Sequence, residues 1–347
     1  MRKIVLVRAG KPDLPAGERW CLGRTDVPLG VLGRLQAQTL RHVPELKKIR
    51  WVFSSPLRRA RETAQAFTED YTVVEDLRER DMGLWDGHCY SEIRRRWPEL
   101  YEVRKHWPDI LPEGAESMVE TRSRMRKAVS ECMNRREGDL MIISHRSAIA
   151  SLAGGRLPID YTSVTVLEVE DGRLETLETG RRYRPELTDA LCRDLMTASG
   201  TGRIMEEHGA AVADLADRFV RALKEHGAVL HQSEIRQACL LHDIARHHND
   251  HASCGAGWLR ELGYPEVAEL IRQHHLPDQP GIHAAAVVFM ADKCVSGNKA
   301  VGMEKRLRES ERNRPSVAAR TEHQEKRKMA EVISNQMNFL CRKRIVP

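Results

Sequence analysis

The sequence predicts a three-layer α/β domain with a mostly parallel sheet, followed by an all-α helical bundle. Short apolar runs alternate with helical patterns as far as Gly180, and beyond it the pattern is helical almost throughout. Ten of the fifteen histidines lie between 208 and 283, in the helical half. Buried strands that alternate with helices are typical of a parallel sheet covered on both faces. A chain of 347 residues also suggests about two domains.

The elements of the first half follow in chain order. Apolar runs predict strands at 4–7, 51–55 and 140–145, an extended segment at 72–77, and a hairpin with an Asp-Gly turn at 163–179. Helical spacing of apolar residues predicts helices at 30–43, 56–67, 117–134 and from Ser147 onward. This alternation of strands and helices favours the parallel sheet.

The composition changes after the hairpin, which is where we expect a domain boundary. The segment RRYRPELTDA carries charge and a proline, as linkers do. We divide the chain into an α/β domain (1–183), a linker and first helix (184–200), a helical domain (201–300) and a basic helical tail (301–347). The tail is expected to close the bundle or to mediate a homodimer, and docking on nucleic acid is the less favoured alternative.

Charge and cysteine usage exclude several classes of protein. The net charge is +6, and the arginine clusters are interleaved with acids, so we expect no nucleic-acid partner. The eight cysteines form no C-x-x-C pair, which indicates reduced thiols. The longest apolar run, 284–291, is too short to span a bilayer, and the start lacks the length of a signal peptide. We expect a cytoplasmic protein without membrane contact.

Cationic side chains follow the predicted strands of the first domain. Open α/β sheets place their sites at the carboxyl ends of the strands. The residues expected there are Arg8, Ala9, Gly10, Ser54, Ser55, Arg58, Arg59, Ser144, His145 and Arg146. Taken singly, an arginine or histidine here would be a surface residue. Together they predict an anion site, because guanidinium groups match phosphate oxygens.

Four motifs in this half resemble the histidine phosphatases related to phosphoglycerate mutase. They are VRAG at 7–10, SPLRRARETA at 55–64, LRERDMGLWDG at 77–87 and ISHRSAI at 143–149, and the segment CLGRTDVPLGVLGRLQA at 21–37 also matches. The resemblance implies that Arg8 and Arg59 clamp a phosphoryl group. It implies that His145 binds the same group and stabilises the transition state, and that Glu79 is the general acid. No cofactor is implied for this domain.

The first motif departs from the family at its central residue. The family has Arg-His-Gly after the first strand, and its histidine is the nucleophile that becomes phosphorylated; here the position holds Ala9. Lys11 and Cys21 lie outside the motif and do not replace it. The chain is therefore expected to bind a phosphomonoester without turning it over by this route. An engineered substitution is favoured because the other four residues survive, and a natural pseudophosphatase that senses a phosphorylated ligand is the alternative.

Histidines and aspartates recur at intervals through the helical half. They are His208, His242, Asp243, His251, His274, His275 and Asp292. Asp292 ends an apolar helix, where a carboxylate is costly unless it is paired or bound to metal. Imidazoles and carboxylates on successive helices suit a divalent transition metal. For His226, His231, His247, His283 and His323 we expect solvent exposure.

Residues 200–297 resemble the HD-domain metal-dependent phosphohydrolases, in segments such as CLLHDIAR and VVFMADKCVSG. The resemblance implies one metal at His208, His242, Asp243 and Asp292, and a second at His251 and His274 with Asp243 bridging. Iron or manganese suits this imidazole-rich set better than magnesium. Arg246 is expected to meet a phosphate oxygen. His275 is left open as a ligand, a proton donor or neither.

The two resemblances together imply a two-domain phosphohydrolase acting on small-molecule phosphates. The HD domain would cleave a phosphodiester or phosphoanhydride of a nucleotide-like compound, and the first domain would remove a terminal phosphate. One alternative is that the Ala9 domain regulates the HD enzyme. Another is a di-iron oxygenase, since some HD relatives carry out that chemistry. A narrower possibility is that the first domain acts on the phosphate of a cobalamin lower-ligand precursor.

Overall fold

The structure is a computed structural model that describes residues 2–107, 109–154, 158–170, 173–311 and 317–347. The chain divides into two compact units, Met1–Pro185 (unit 1) and Glu186–Pro347 (unit 2). Within the described ranges, no helix has the length and apolar composition needed to cross a bilayer. All eight cysteines lie in these ranges, and they are free thiols.

Unit 1 is built on a six-stranded sheet. Its strands, together with the short pair β2 and β5, are β1 (Arg2–Arg8), β2 (Trp20–Cys21), β3 (Trp51–Ser54), β4 (Thr72–Val73), β5 (His88–Cys89), β6 (Leu140–Ser144), β7 (Val164–Glu170) and β8 (Arg173–Arg181). The order is β4-β3-β6-β1-β7-β8. The first four of these are parallel, and β7 and β8 are antiparallel. The three predicted strands and the hairpin are confirmed, although the Asp-Gly turn lies outside the described residues.

The helices of unit 1 cover both faces of this sheet. They are α1 (Val31–Arg41), α2 (Pro44–Lys47), α3 (Arg58–Gln65), α4 (Tyr90–Arg96), α5 (Pro98–His106), α6 (Met118–Arg135) and α7 (Arg146–Ala153). Alternate side chains of β1 enter two separate cores, because successive residues of a strand point to opposite faces. Ile4 and Leu6 pack with residues of α6 and α7. Val5 and Val7 pack with residues of α1 and α3. The three-layer α/β prediction is confirmed.

One predicted element of unit 1 is shorter than expected. The extended segment at 72–77 is a strand only at Thr72–Val73, and a 3-10 turn follows at Glu75–Leu77. The N–H of Val74 still donates to Ser54 on β3, and the N–H of Leu77 then donates back to Val74. The chain therefore leaves the sheet at this point, which places Glu79 beside the carboxyl ends of the strands.

Unit 2 is a helical bundle with one small hairpin. Its elements are α8 (Asp189–Ser199), α9 (Arg203–Glu225), α10 (Gln232–Leu241), α11 (His251–Glu261), α12 (Pro265–Arg272), α13 (Ala284–Asp292), β9 (Val295–Ser296), β10 (Lys299–Ala300), α14 (Met303–Glu311) and α15 (Val317–Leu340). The helix α13 runs through the centre and is buried from Ala285 to Asp292. The bundle prediction is confirmed, with the hairpin of β9 and β10 as a local exception.

Candidate phosphate and metal sites

The loop after β1 is held by close backbone contacts. The N–H of Ala9 donates to the carbonyl of Ser144 on β6 (2.8 Å), and the N–H of Gly10 donates to Oγ1 of Thr63 on α3 (3.0 Å). A Cβ on Gly10 would lie 2.6 Å from the carbonyl oxygen of Gly33, so this position requires glycine. Ala9 is buried. The loop is fixed in place although the side chain at position 9 has no polar group.

Two arginines of this site are anchored by backbone carbonyls. Nη1 of Arg8 donates to Ile159 (2.7 Å), and the guanidinium lies 3.8 Å from the centre of the Tyr161 ring. Arg59, on the first turn of α3, donates to the carbonyls of Thr25 and Gly23, each at 2.8 Å. Neither guanidinium therefore depends on a carboxylate for its position. Both remain positive charges that an anion can approach.

His145 and Glu79 meet at the start of α7. The Glu79 carboxylate accepts the N–H groups of Ser147 (3.1 Å) and Ala148 (3.0 Å), in the first turn of that helix. Nε2 of His145 lies 2.7 Å from Oγ of Ser55. Burial, together with the positive charge of Arg59, lowers the pKa of His145 well below 6.5. The imidazole is therefore neutral at pH 7.

The five predicted residues of unit 1 line one cavity of about 470 Å³; they are Arg8, Ala9, Arg59, Glu79 and His145. Lys11 and Cys21, which the sequence places outside the motif, line it too. Burial and the charge of Asp86 raise the pKa of Cys21 to about 12, so this thiol is not a nucleophile at neutral pH. The aromatic support of Arg8 by Tyr161 was missed, because no local pattern connects residues so far apart in sequence.

In unit 2 the predicted histidines converge from four helices, and three of them share one hydrogen-bonding pattern. Nδ1 of His208 lies 2.6 Å from the Gly297 carbonyl, and Nδ1 of His274 lies 2.7 Å from that of Ile271. His242 bonds Cys239 in the same way, at 2.8 Å. A carbonyl only accepts, so Nδ1 carries a proton in all three rings. Nε2 of His208 faces the Asp292 carboxylate, which raises the pKa of His208 despite burial. In His242 and His274, Nε2 has no hydrogen-bond partner among the described residues and carries the lone pair. This is the tautomer that a metal ligand needs.

Three of these side chains form a first ligand group: His208, His242 and Asp292. Nε2 of His208 lies 3.3 Å from the Asp292 carboxylate, and Nε2 of His242 lies 3.7 Å from it. Nε2 of His242 is buried without a hydrogen-bond partner among the described residues. An unsatisfied buried lone pair is costly unless it binds a cation, so the arrangement fits a metal ion.

A second ligand group consists of His251, His274 and His275. The Nε2 atoms of His251 and His275 are 2.9 Å apart, and Nε2 of His274 has no hydrogen-bond partner in the described part of the chain. Burial lowers the pKa of His274 to about 3. Three imidazoles whose ligand atoms lie so close together also fit a metal ion. The structure places His275 with the ligand atoms, a position the sequence left undecided.

Asp243 lies between the two groups. Its Oδ1 is 3.2 Å from Nε2 of His251, and its Oδ2 is 3.7 Å from Nε2 of His242. Burial opposes ionisation of Asp243, but the neighbouring His242 and His251 outweigh it and lower the pKa. Arg246 is half exposed, with Nη1 3.5 Å from Oδ1 of Asp243. Asp243 therefore lies between the two ligand groups, and its role as a bridging ligand stays a prediction.

Two histidines differ from their expected exposure. His226, His231 and His247 are exposed as expected. His283 is half-buried, because its Nδ1 accepts the N–H of Ala286 and caps α13. His323 is buried, so the expectation for it was wrong; it lies on α15 and lines the same cavity as the ligand groups. The exposure of a histidine on a polar helix depends on which face the bundle covers.

Comparisons with known proteins match both units. Residues 4–184 match the histidine phosphatase superfamily (branch 1), and residues 205–297 match the HD domain. The first match covers more than half of the chain. The chain therefore belongs to the histidine phosphatase superfamily, and it carries an HD domain after that region. Both are families of hydrolases.

Individual relatives match about half of the chain. Phosphoglycerate mutase-like protein 4 of Arabidopsis thaliana is 33% identical over 192 residues, which is 51% of this chain and 83% of the relative. A bifunctional protein of Mycobacterium tuberculosis is 30% identical over 182 residues, and the match spans 48% of this chain and 50% of that protein. A mycobacterial glucosyl-3-phosphoglycerate phosphatase solved with inorganic phosphate is 25% identical, with a TM-score of 0.45, covering 52% of this chain and 98% of the other.

Proposed function

We propose that unit 2 hydrolyses a phosphoanhydride or phosphodiester bond of a nucleotide-like small molecule, with two metal ions held by the two ligand groups. The observation that carries this proposal is the set of buried imidazoles whose Nε2 lone pairs converge beside two ionised carboxylates. Asp292 and Asp243 both have a lowered pKa despite burial, because Lys293 lies beside the first carboxylate and His242, His251 and Arg246 lie beside the second. Two carboxylates and several imidazoles suit iron or manganese.

The roles of the residues follow from their positions. His208, His242 and Asp292 would hold one ion, His251, His274 and His275 the other, and Asp243 would bridge the two. Ions bound there would supply an activated hydroxide and stabilise the charge on phosphorus. Arg246 is half exposed at the edge of the cavity, where its guanidinium would bind a phosphate oxygen of the substrate.

For unit 1 we propose binding of a phosphomonoester without turnover. Arg8 and Arg59 would clamp the phosphoryl group, and neutral His145 would donate a hydrogen bond to it. Glu79 would protonate the leaving oxygen in a form that had a nucleophile. Ala9 offers no lone pair, and the buried Cys21 stays protonated. An intact cradle without a nucleophile also supports the alternative role, a sensor that regulates unit 2.

The eight free cysteines support a reducing compartment, and we propose the cytoplasm. Small-molecule phosphates are the proposed partners, because both cavities combine cationic side chains with limited volume.

The test of the unit 2 proposal is hydrolysis by the full chain loaded with manganese. The substrates are a nucleoside diphosphate and bis(p-nitrophenyl) phosphate, measured as phosphate or nitrophenol release. Changing Asp243→Ala removes the proposed bridging ligand and should lower the rate at least about 100-fold. The exposed His226→Gln variant is the matched control and should keep the wild-type rate. Equal rates in wild type and Asp243→Ala would contradict the proposal, as would oxygen consumption without hydrolysis.

A further inference from the structure

The cavity at the ligand groups extends beyond the region that matches the HD domain. It has a volume of about 680 Å³, and part of its wall comes from α14 and α15. The matched region ends at residue 297, so these two helices lie outside it. The wall residues that α14 and α15 contribute include Arg306, Glu309, His323 and Lys326. Their chemistry is therefore a property of this chain and not of the matched domain.

This wall is fixed to the bundle. Leu307 of α14 and Ala330, Ile333 and Met337 of α15 are buried. Oγ of Ser296 on β9 donates to the Glu309 carboxylate at 2.9 Å. The N–H of Met303 also donates to the carbonyl of Pro347, at 3.0 Å. The side chains that the two helices present to the cavity are therefore held in defined positions next to the ligand groups.

Among the residues of α14 and α15 that line the cavity, Arg306 and Lys326 carry positive charge and Glu309 carries negative charge. Lys326 is buried, and its ammonium pairs with Glu322, whose side chain is 55% exposed. Nε of Arg306 is buried and has no hydrogen-bond partner among the described residues. Glu309 is the carboxylate on this side of the cavity, and Ser296 already donates to it. A buried guanidinium N–H with no acceptor is costly unless an anion binds beside it. Lys326 adds a buried ammonium to the same wall, where it can attract an anion in addition to Glu322.

A third cation, Lys293, connects the wall to the ligand groups. Lys293 forms an ion pair with Asp292, and it lines the same cavity. Lys293, Arg306 and Lys326 thus provide positive charge from the ligand groups to the far wall. A substrate with a single phosphoryl group, bound at the ligand groups, would offer no anionic group to Arg306 and Lys326.

We propose that Arg306 and Lys326 bind the second phosphoryl group of a diphosphate substrate whose first phosphoryl group lies at the ligand groups. This inference rests on the proposed function of unit 2 and narrows its substrate to phosphoanhydrides. In the reaction, a water oxygen bonds to the phosphorus at the ligand groups. The bridging P–O bond breaks, its electron pair stays on the phosphate that the wall holds, and one proton of the water passes to solvent.

The test compares ligands with two phosphoryl groups and with one. The probes are methylenediphosphonate, which has no hydrolysable bridge, and methylphosphonate. Their affinities are measured by titration calorimetry on the manganese-loaded full chain, in an Arg59→Gln background that removes binding by unit 1. Bound manganese is quantified after each titration, so that metal stripping is detected. We expect the diphosphonate to bind at least tenfold more tightly than methylphosphonate.

Variants of the wall identify the residues responsible. Arg306→Gln and Lys326→Gln should each reduce the preference for the diphosphonate at least fivefold and leave manganese content and methylphosphonate affinity unchanged. Arg308→Gln and Lys328→Gln are matched controls on the same two helices, exposed and outside the cavity lining. Thermal melts show whether each variant folds. If Lys326→Gln does not fold, the test relies on Arg306→Gln, because Arg306 is only half-buried.

The outcomes separate the two proposals. A preference that persists in both wall variants, or that falls equally in the controls, overturns the assignment of the wall. The assignment is also overturned if the chain with the wild-type wall binds the diphosphonate no more tightly than methylphosphonate. In that case a normal manganese content would still support the proposed metal site. A wild-type chain that binds no metal overturns the proposed function itself.

Discussion

Under the proposed function, Ala9 decides whether unit 1 can turn over a phosphomonoester. Its backbone is held by β6 at 2.8 Å, and its side chain lines the same cavity as Arg8 and Arg59. Under the proposed function, binding a phosphoryl group and attacking it are separate tasks in this cavity, and Arg8, Arg59 and His145 serve the first. Alanine offers no attacking lone pair, while the cationic side chains around it are in place.

Restoring the imidazole should restore turnover. We expect Ala9→His to hydrolyse p-nitrophenyl phosphate at least about 100-fold faster than the wild-type chain, because a nucleophile then faces the bound phosphorus. The measurement is nitrophenol release in the presence of a metal chelator, which silences unit 2. Adding Arg59→Met to the Ala9→His variant should abolish the gain. Failure of Ala9→His to hydrolyse any aryl or alkyl phosphate would count against the assignment of this cavity.

At the scale of elements, the junction of β6 and α7 organises the phosphate site. His145 is the residue before α7, and the first turn of that helix donates two N–H groups to Glu79. Burial and the arginine charges lower the pKa of His145 well below 6.5. The folded chain therefore keeps this imidazole neutral at a pH where the unfolded chain protonates it.

The free energy of unfolding should consequently fall on acidification. Below the unfolded pKa of about 6.5, the unfolded state binds one more proton at His145, which costs about 1.4 kcal/mol per pH unit. Replacing His145→Gln should remove this contribution between pH 6.5 and 5, so the pH slope becomes shallower by that amount. Urea unfolding followed by tryptophan fluorescence measures it. The exposed His106→Gln variant is the control, and an unchanged slope in His145→Gln would refute the buried neutral state.

The main strands and long helices could be predicted from periodicity, and the motifs at strand ends placed Arg8, Arg59 and His145 together. The position of Glu79 depended on the 3-10 turn after β4, which has no clear periodic signal in six residues. The contact between Arg8 and Tyr161 depends on tertiary packing between residues more than 150 positions apart. Patterns within a short stretch of sequence cannot predict a contact between residues so distant in the chain.

For the whole molecule, the chain joins a histidine phosphatase domain to an HD domain, and each unit has its own polar cavity. The sequence predicted metal ligands at His208, His242, Asp243, His251, His274 and Asp292 from their order and their resemblance to the HD domain, and the structure brings these side chains together. It predicted a basic helical tail at 301–347 that closes the bundle or mediates a homodimer; in the structure α14 and α15 belong to unit 2 and line its cavity. A basic polar helix has the same composition whether it is solvated or covers a cavity. The position of His323, Arg306 and Lys326 at the cavity could therefore be found only from the structure.

The central claim is that unit 2 holds two metal ions, and metal stoichiometry tests it most directly. The full chain is loaded with iron or manganese, desalted and analysed by inductively coupled plasma mass spectrometry. We predict about two ions per chain in the wild type and at most about one in Asp243→Ala, because that residue joins the two ligand groups. A wild-type chain that retains no metal, or an Asp243→Ala chain that retains both ions, would contradict the account.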